Sequence, residues 1–483
     1  MFSTRHYAIY DGLLKSELPK IASRDFMEFV LHQYDQSCLI QGKRLIGADR
    51  ARWLELGPIF RRAVKYLAEC ITLLAPGEAL ELEPNVVDET TQRCWIFAEQ
   101  LINLAILSDQ TYKLFPDDSI LTINSEGELN WCDLRVKQFE KYEEFVSRVR
   151  RDKEERTHVL DDLDFFFNTE RIHRLIDPAF KQSLHCSYTE VQGFATNLAE
   201  SVLRLDEGFD VAFVNEDRIL SSIEKGLSLQ RHDAKTVLDG LVLRRDAMSI
   251  EGRVAWKPKQ EYRAYSRPFF EFPHEDGTHF AWSKSMAKEC LFTLFTRVAH
   301  KLVPPEWSLG DIPQALATYE QEITKRFENA VIEELRKLGV ASARFKSQVG
   351  QGDRRVLIPS EIGEIDFIAY FEKQGLLVVG DAKLIRATHE PAFYRDDVDK
   401  FLSQKDYVNQ VKRKAQWVQE ELEKVVKGLC AESGFPSDVS VNSVAPILVT
   451  YFPAFASCFI DDVPCVCLSE LSEGITDHDG WPY

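Results

Sequence analysis

The chain has no apolar run long enough to cross a bilayer, no CxxC pair, no low-complexity tract and no surplus of positive charge. Each absence excludes something. A spanning helix needs about 20 predominantly apolar residues. The longest candidates, such as CWIFAEQLINLAIL at 94–107, are shorter and interrupted by charge, so no membrane partner is expected. The opening MFSTRHYAIYDGLLK has no apolar signal-peptide core. The ten cysteines are scattered, and the close pair Cys465 and Cys467 alternates as in a strand. Reduced thiols in a cytoplasmic protein are therefore the expectation. A formal net charge of −18 argues against a protein that coats nucleic acid over a broad surface. It leaves room for a narrow site where metal ions and a few cations meet a phosphate. No GxSxG elbow is present, VGQGDR lacks the Lys-Ser/Thr of a phosphate loop, and THEPAF is not HExxH. His274 and His279 flank a turn in HEDGTH, but no further ligands follow at a zinc spacing.

The length of 483 residues suits two to four domains. Residues 1 to about 115 carry apolar residues at helical spacing, as in RRAVKYLAECITLLA. SILTINSEGELNW (119–131) predicts a hairpin turned at NSEG, and residues 134 to about 246 predict helix again. YRAYSRPFFEFPHEDGTHFAWS (262–283) predicts a second hairpin turned at HEDG, followed by a helix. VPPEWSLGDIP (303–313), with three prolines and a turn glycine, is the clearest boundary. The expected organisation is a mostly helical region with two hairpins over 1–302, a linker at 303–314 and an α/β domain over 315–483. In that last domain a helix at about 315–338 ends at Gly339, a suitable C′ residue. The strand VASARFKSQV, a hairpin, a long helix at about 394–430 and the strand VAPILVTYF follow. The order is α-β-β-β-α-β.

The hairpin carries the chemistry. IDFIAYF and LLVVGDAK are rich in β-branched and aromatic residues, and EKQG between them has turn character. A turn centred between Lys373 and Gln374 pairs residues whose numbers sum to 747. Asp366 then faces Asp381, and Glu364 faces Lys383, all on one face of the sheet. Two carboxylates facing each other repel, yet they stand close enough to chelate one cation, and hard oxygen donors suit Mg²⁺ or Mn²⁺. Lys383 would be a fixed positive charge beside it. A strand pair whose charges simply face water satisfies the same spacing.

The element order, with GEID on one strand and GDAK on the next, resembles the PD-(D/E)xK nuclease superfamily, in particular its Mrr-like and Holliday-junction-resolvase-like branch. The resemblance covers about residues 315–470. It implies a restriction-endonuclease-like domain that hydrolyses phosphodiester bonds with Mg²⁺ or Mn²⁺. Asp366 and Asp381, with the carbonyl of Ala382 between acid and lysine, would hold the metal, and Lys383 would assist the attacking water. Ile365 stands where the motif has its nominal proline. Superfamily members also carry a glutamate on the first helix. Of Glu328, Glu333 and Glu334, only Glu328 falls inside the apolar arc of Phe327, Val331, Ile332, Leu335 and Leu338; it would reach the metal directly or through water. Glu333 points away and is placed to pair with Lys337. On the second helix such nucleases place a glutamine or a lysine near the scissile phosphate, and Gln410 and Lys414 are the candidates, Gln410 entering as catalytic. Lys414 stands where a related branch has tyrosine, and Lys412, Arg413 and Lys414 form a candidate phosphate-contacting patch. The implied substrate is nucleic acid, DNA ahead of RNA, with prokaryotic antiviral defence as a natural setting. The first 300 residues would sense a trigger, bind a protein partner or a second copy, or gate the nuclease. The alternatives are a non-catalytic scaffold or sensor on the same fold, and an RNA-cleaving enzyme.

Overall fold

A computed structural model describes residues 2–42, 48–76, 82–109, 119–123, 129–133, 136–155, 165, 168–201, 211–248, 261–385, 391–432 and 434–483. The protein is mixed α/β and mostly helical. By contacts it forms two compact units. One comprises Met1–Asp109 with Phe166–Glu320, the other Gln110–Phe165 with Gln321–Tyr483. This differs from the division in chain order expected at 303–314, because residues 110–165 group with the end of the chain.

In the first unit the helices Phe2–Ile21, Arg24–Gly42, Ala48–Leu74 and Pro84–Asp109 pack their apolar stripes into one core. Leu18, Val30, Leu31, Tyr34, Leu67, Ile71 and Leu101 are nearly or fully buried there. The same unit holds a four-stranded sheet in the order Val211–Asn215, Gly277–Ser283, Phe269–His274, Val242–Leu243. The hairpin turned at HEDG is present, but its first strand starts at Phe269. Val211–Asn215 is a strand where helix was expected. Val211, Phe213 and Val214 favour a pleat, and pairing to the Gly277–Ser283 strand completes the choice. Asn215 then caps the helix Glu216–Leu227, its side chain accepting from the Asp217 amide at 2.9 Å.

In the second unit a five-stranded sheet runs Cys465–Cys467, Ser443–Thr450, Leu376–Lys383, Ile365–Phe371, Ala341–Phe345. The first three strands are mutually parallel and the last two pair antiparallel. The helix Ile312–Lys337 precedes the sheet and closes at Gly339, whose φ of +79° belongs to the left-handed region that glycine adopts without strain. The expected long helix is broken. Pro391–Asp399 runs into a π turn at Lys400–Gln404, Asp406 adopts a left-handed φ of +52°, and Tyr407–Glu420 and Leu422–Leu429 follow. On one sheet face Ile368, Tyr370, Leu377 and Val379 pack beneath Ala415, Val418, Val425 and Leu429. The helix Val136–Glu155 belongs here too: the Phe145 ring packs edge-on against Tyr394 and Phe455, at centroid distances of 5.3 and 5.1 Å. Arg148 grips both oxygens of Glu470, at 2.6 and 2.8 Å. The hairpin expected at 119–131 is present as Ser119–Ile123 paired with Leu129–Asp133; its turn lies outside the described residues.

Candidate functional site

The strand pair has the register the turn dictates: Phe367 faces Gly380, and every pair out to Phe371 and Leu376 sums to 747. One step further, Asp366 and Asp381 fall on the face that carries Ile368, Tyr370, Leu377 and Val379. The apolar face thus ends in charge. Gly380 has a packing reason: a Cβ there would sit 1.9 Å from Cζ of Phe367, whose ring lies over the glycine on the opposite face.

Asp381 is fully buried. Its Oδ1 accepts from Lys414 Nζ at 2.5 Å. Its Oδ2 pairs with Lys383 Nζ at 3.1 Å. Asp366, also buried, accepts from the Ala382 amide at 2.9 Å and has Lys383 Nζ at 3.7 Å. Burial, and then the charge of Asp381, push the Asp366 carboxyl above its ordinary range. For Lys383 burial works toward the neutral amine, but Asp381 and Asp366 outweigh it, so the ammonium is held above its usual value. That ammonium also stands over the Tyr407 ring, 4.9 Å from its centre.

Glu328 is buried, as the helical wheel required, and Glu333 is exposed. Burial, followed by the charge of Asp366, raises the Glu328 carboxyl to about 7. Its Oε2 pairs with Arg344 Nη1 at 2.7 Å. Arg344 also binds Glu364 at 2.7 Å. Glu364 therefore turns to Arg344 rather than to Lys383. The pairing with Ala341–Phe345 is irregular between Ile365 and Ile368, next to this residue. Lys337 stands near Glu334, at 3.8 Å, rather than pairing with Glu333.

The second helix distributes its polar residues by geometry. Successive residues point about 100° apart, so Lys412, Arg413 and Lys414 take three directions. Lys412 pairs with Asp462, Arg413 is exposed, and Lys414 is buried against Asp381. The Gln410 side chain donates to the Lys405 carbonyl. Arg344 and Tyr407 were not expected at the carboxylates, whereas Lys414, a candidate for the scissile phosphate, stands against Asp381. A signal for Lys414 was present: it lies three residues after Val411 and four before Val418, on the same apolar stripe. For Arg344 the only hint is a charge within a short strand.

The residues able to hold a hard divalent cation are Asp366 and Asp381. Hard carboxylate oxygens suit one, and Glu328 is near enough for the Asp366 charge to raise its carboxyl. Ala382 is buried, with its amide engaged by Asp366. The three carboxylates do not gather their oxygens within 4.8 Å of one another; among the described residues that grouping occurs only at His274, Asp276 and His279. Lys383 and Lys414 instead neutralise the acidic pair from two sides. Among known proteins, no family model, no curated protein and no solved structure matches this chain.

Proposed function

We propose that the second unit is a Mg²⁺- or Mn²⁺-dependent phosphodiesterase that hydrolyses nucleic acid, DNA in the first place. The observation that carries this reading is the buried Asp366–Asp381 pair at a strand end, with Lys383 between the two carboxylates. A buried like-charge pair costs stability and is kept where it has work to do. It is also the arrangement expected from the resemblance to PD-(D/E)xK nucleases. Bound there, a divalent ion supplies Lewis acidity toward a phosphate oxygen and acidifies water. Asp366 and Asp381 would hold it. Lys383, kept as an ammonium, meets the charge that builds on the phosphate. Glu328, titrating at about 7, accepts a proton from water at neutral pH. Lys414 holds Asp381 in place.

One observation favours a second reading, a non-catalytic scaffold or sensor. Lys383 and Lys414 already offset the two aspartates without any ion. The test is incubation of the full chain with plasmid, linear and single-stranded DNA and with RNA, in Mg²⁺, Mn²⁺ or EDTA. Cleavage is expected with either metal and not with EDTA. Asp381→Asn should abolish it and also lower the stability of the metal-free protein, because Lys414 and Lys383 lose their shared buried partner. Lys383→Ala should lose about 10²-fold or more in rate yet keep the rise in melting temperature that metal produces. Wild-type cleavage by Asp381→Asn would refute the site. Cleavage of RNA alone would move the substrate.

A further inference from the structure

The first unit holds a separate cluster, independent of the carboxylate site and of its proposed role. On the hairpin Phe269–His274 and Gly277–Ser283, His274 pairs with Gly277 and His279 with Phe272. Facing residues share a side, and period two puts His274 beside Phe272, so both imidazoles lie on one face of the sheet. The two-residue turn between them presents Asp276. Its Oδ1 is 2.5 Å from His274 Nδ1 and 3.6 Å from His279 Nε2. One ligand atom from each of the three lies within 4.8 Å of the other two.

His279 is prepared in a way a turn alone does not need. Its Nδ1 is 3.2 Å from the Gly277 carbonyl. A carbonyl only accepts, so Nδ1 carries the hydrogen and Nε2 presents its lone pair toward Asp276. This second contact, fixing which nitrogen is free, is what metal-binding histidines show. The ring is 7% exposed and stacks on Phe213 at 4.9 Å and 17°. Phe213 also meets His274 edge-on at 5.8 Å. Phe213 is in turn covered by the Arg24 guanidinium, 4.5 Å from its centre, a charge already engaged by Glu28 at 2.6 Å. Asp276, at the tip of the turn, is the exposed member of the three.

We propose that His274, Asp276 and His279 bind one borderline divalent cation of the zinc class, leaving a coordination position for water or a further ligand. Imidazole nitrogens with one carboxylate select Zn²⁺ or its Co²⁺ and Ni²⁺ relatives over Mg²⁺. Ligand atoms about a tetrahedral zinc stand roughly 3.4 Å apart, given bonds of about 2.1 Å; Asp276 is already 3.6 Å from His279, and its 2.5 Å contact with His274 has to open by less than an ångström. The ion replaces the proton that now joins His274 to Asp276 and clips the hairpin tip.

The test titrates the chelator-stripped full chain with Zn²⁺ against a chromophoric zinc indicator. Millimolar Mg²⁺ is present throughout, to occupy the carboxylate site. One equivalent should bind in wild type and in Asp381→Asn. His274→Ala and Asp276→Asn, both at the exposed tip, should weaken that equivalent by at least about tenfold and remove the Zn²⁺-dependent rise in melting temperature. His279 is avoided because its ring is part of the packing. Zinc binding that survives His274→Ala and Asp276→Asn, binding lost in Asp381→Asn alone, or no binding by wild type would each overturn the assignment.

Discussion

At the scale of single residues, Glu328 is the most informative. Its carboxyl titrates at about 7 against an ordinary 4.5. Between those values the folded chain holds a proton that the unfolded chain releases. Stability therefore falls as pH rises from about 4.5 to about 7. Glu328→Gln removes that dependence. In EDTA the variant should melt like wild type near pH 4.5 and be more stable at pH 8 by about 1 kcal/mol. That figure discounts the full conversion of about 1.4 kcal/mol per unit for solvent reaching the site. Melting curves of both proteins across pH check it, and a constant difference would show that Glu328 is not the titrating group. If Glu328 is also the proton acceptor, the same change should slow cleavage by about 10²- to 10⁴-fold. Its burial was legible because one helix supplies the whole argument, a carboxylate inside an apolar arc. Arg344 was not legible: its two partners come from different elements, and nothing local marks it.

At the scale of elements, the paired strands were readable because turn chemistry fixes the register and the register fixes the faces. Tertiary choices were not readable. Val211–Asn215 has five residues, β-branched and aromatic ones among them, and becomes a strand only by pairing with Gly277–Ser283; so short a run does not stand out within a stretch of helical spacing. The break between Pro391–Asp399 and Tyr407–Glu420 turns on a left-handed aspartate, and Asp406 is indistinguishable in sequence from any surface acid. The Phe367 ring over Gly380 gives this scale its test. Gly380→Ala forces that ring aside from a contact of 1.9 Å, and should cost about 1–3 kcal/mol. Adding Phe367→Leu should return part of the loss. Denaturant unfolding of the two single variants and the double one measures the coupling, and strict additivity would mean the ring is not what excludes a side chain at 380.

At the scale of the whole molecule, each unit is assembled from two separated stretches of chain. A boundary at 303–314 looks like a place to cut, but a fragment of residues 315–483 lacks the helix Val136–Glu155, with Phe145 against Tyr394 and Phe455 and Arg148 on Glu470. Such a fragment should bind an apolar dye and melt without cooperativity. The same fragment joined through a flexible linker to residues 110–165 should melt in one transition; equal behaviour of the two would show that the helix is dispensable. The interleaving also sets a timetable for synthesis. Phe145 leaves the ribosome about 300 residues before Phe455, which at roughly 5–20 residues per second is a wait of some 15–60 s. For that interval Tyr142, Phe145, Val146 and Val149, which later pack around Tyr394 and Phe455, have no shelter of their own. The nascent chain therefore offers an apolar helix face that a holdase can take up until Tyr394 and Phe455 have been made.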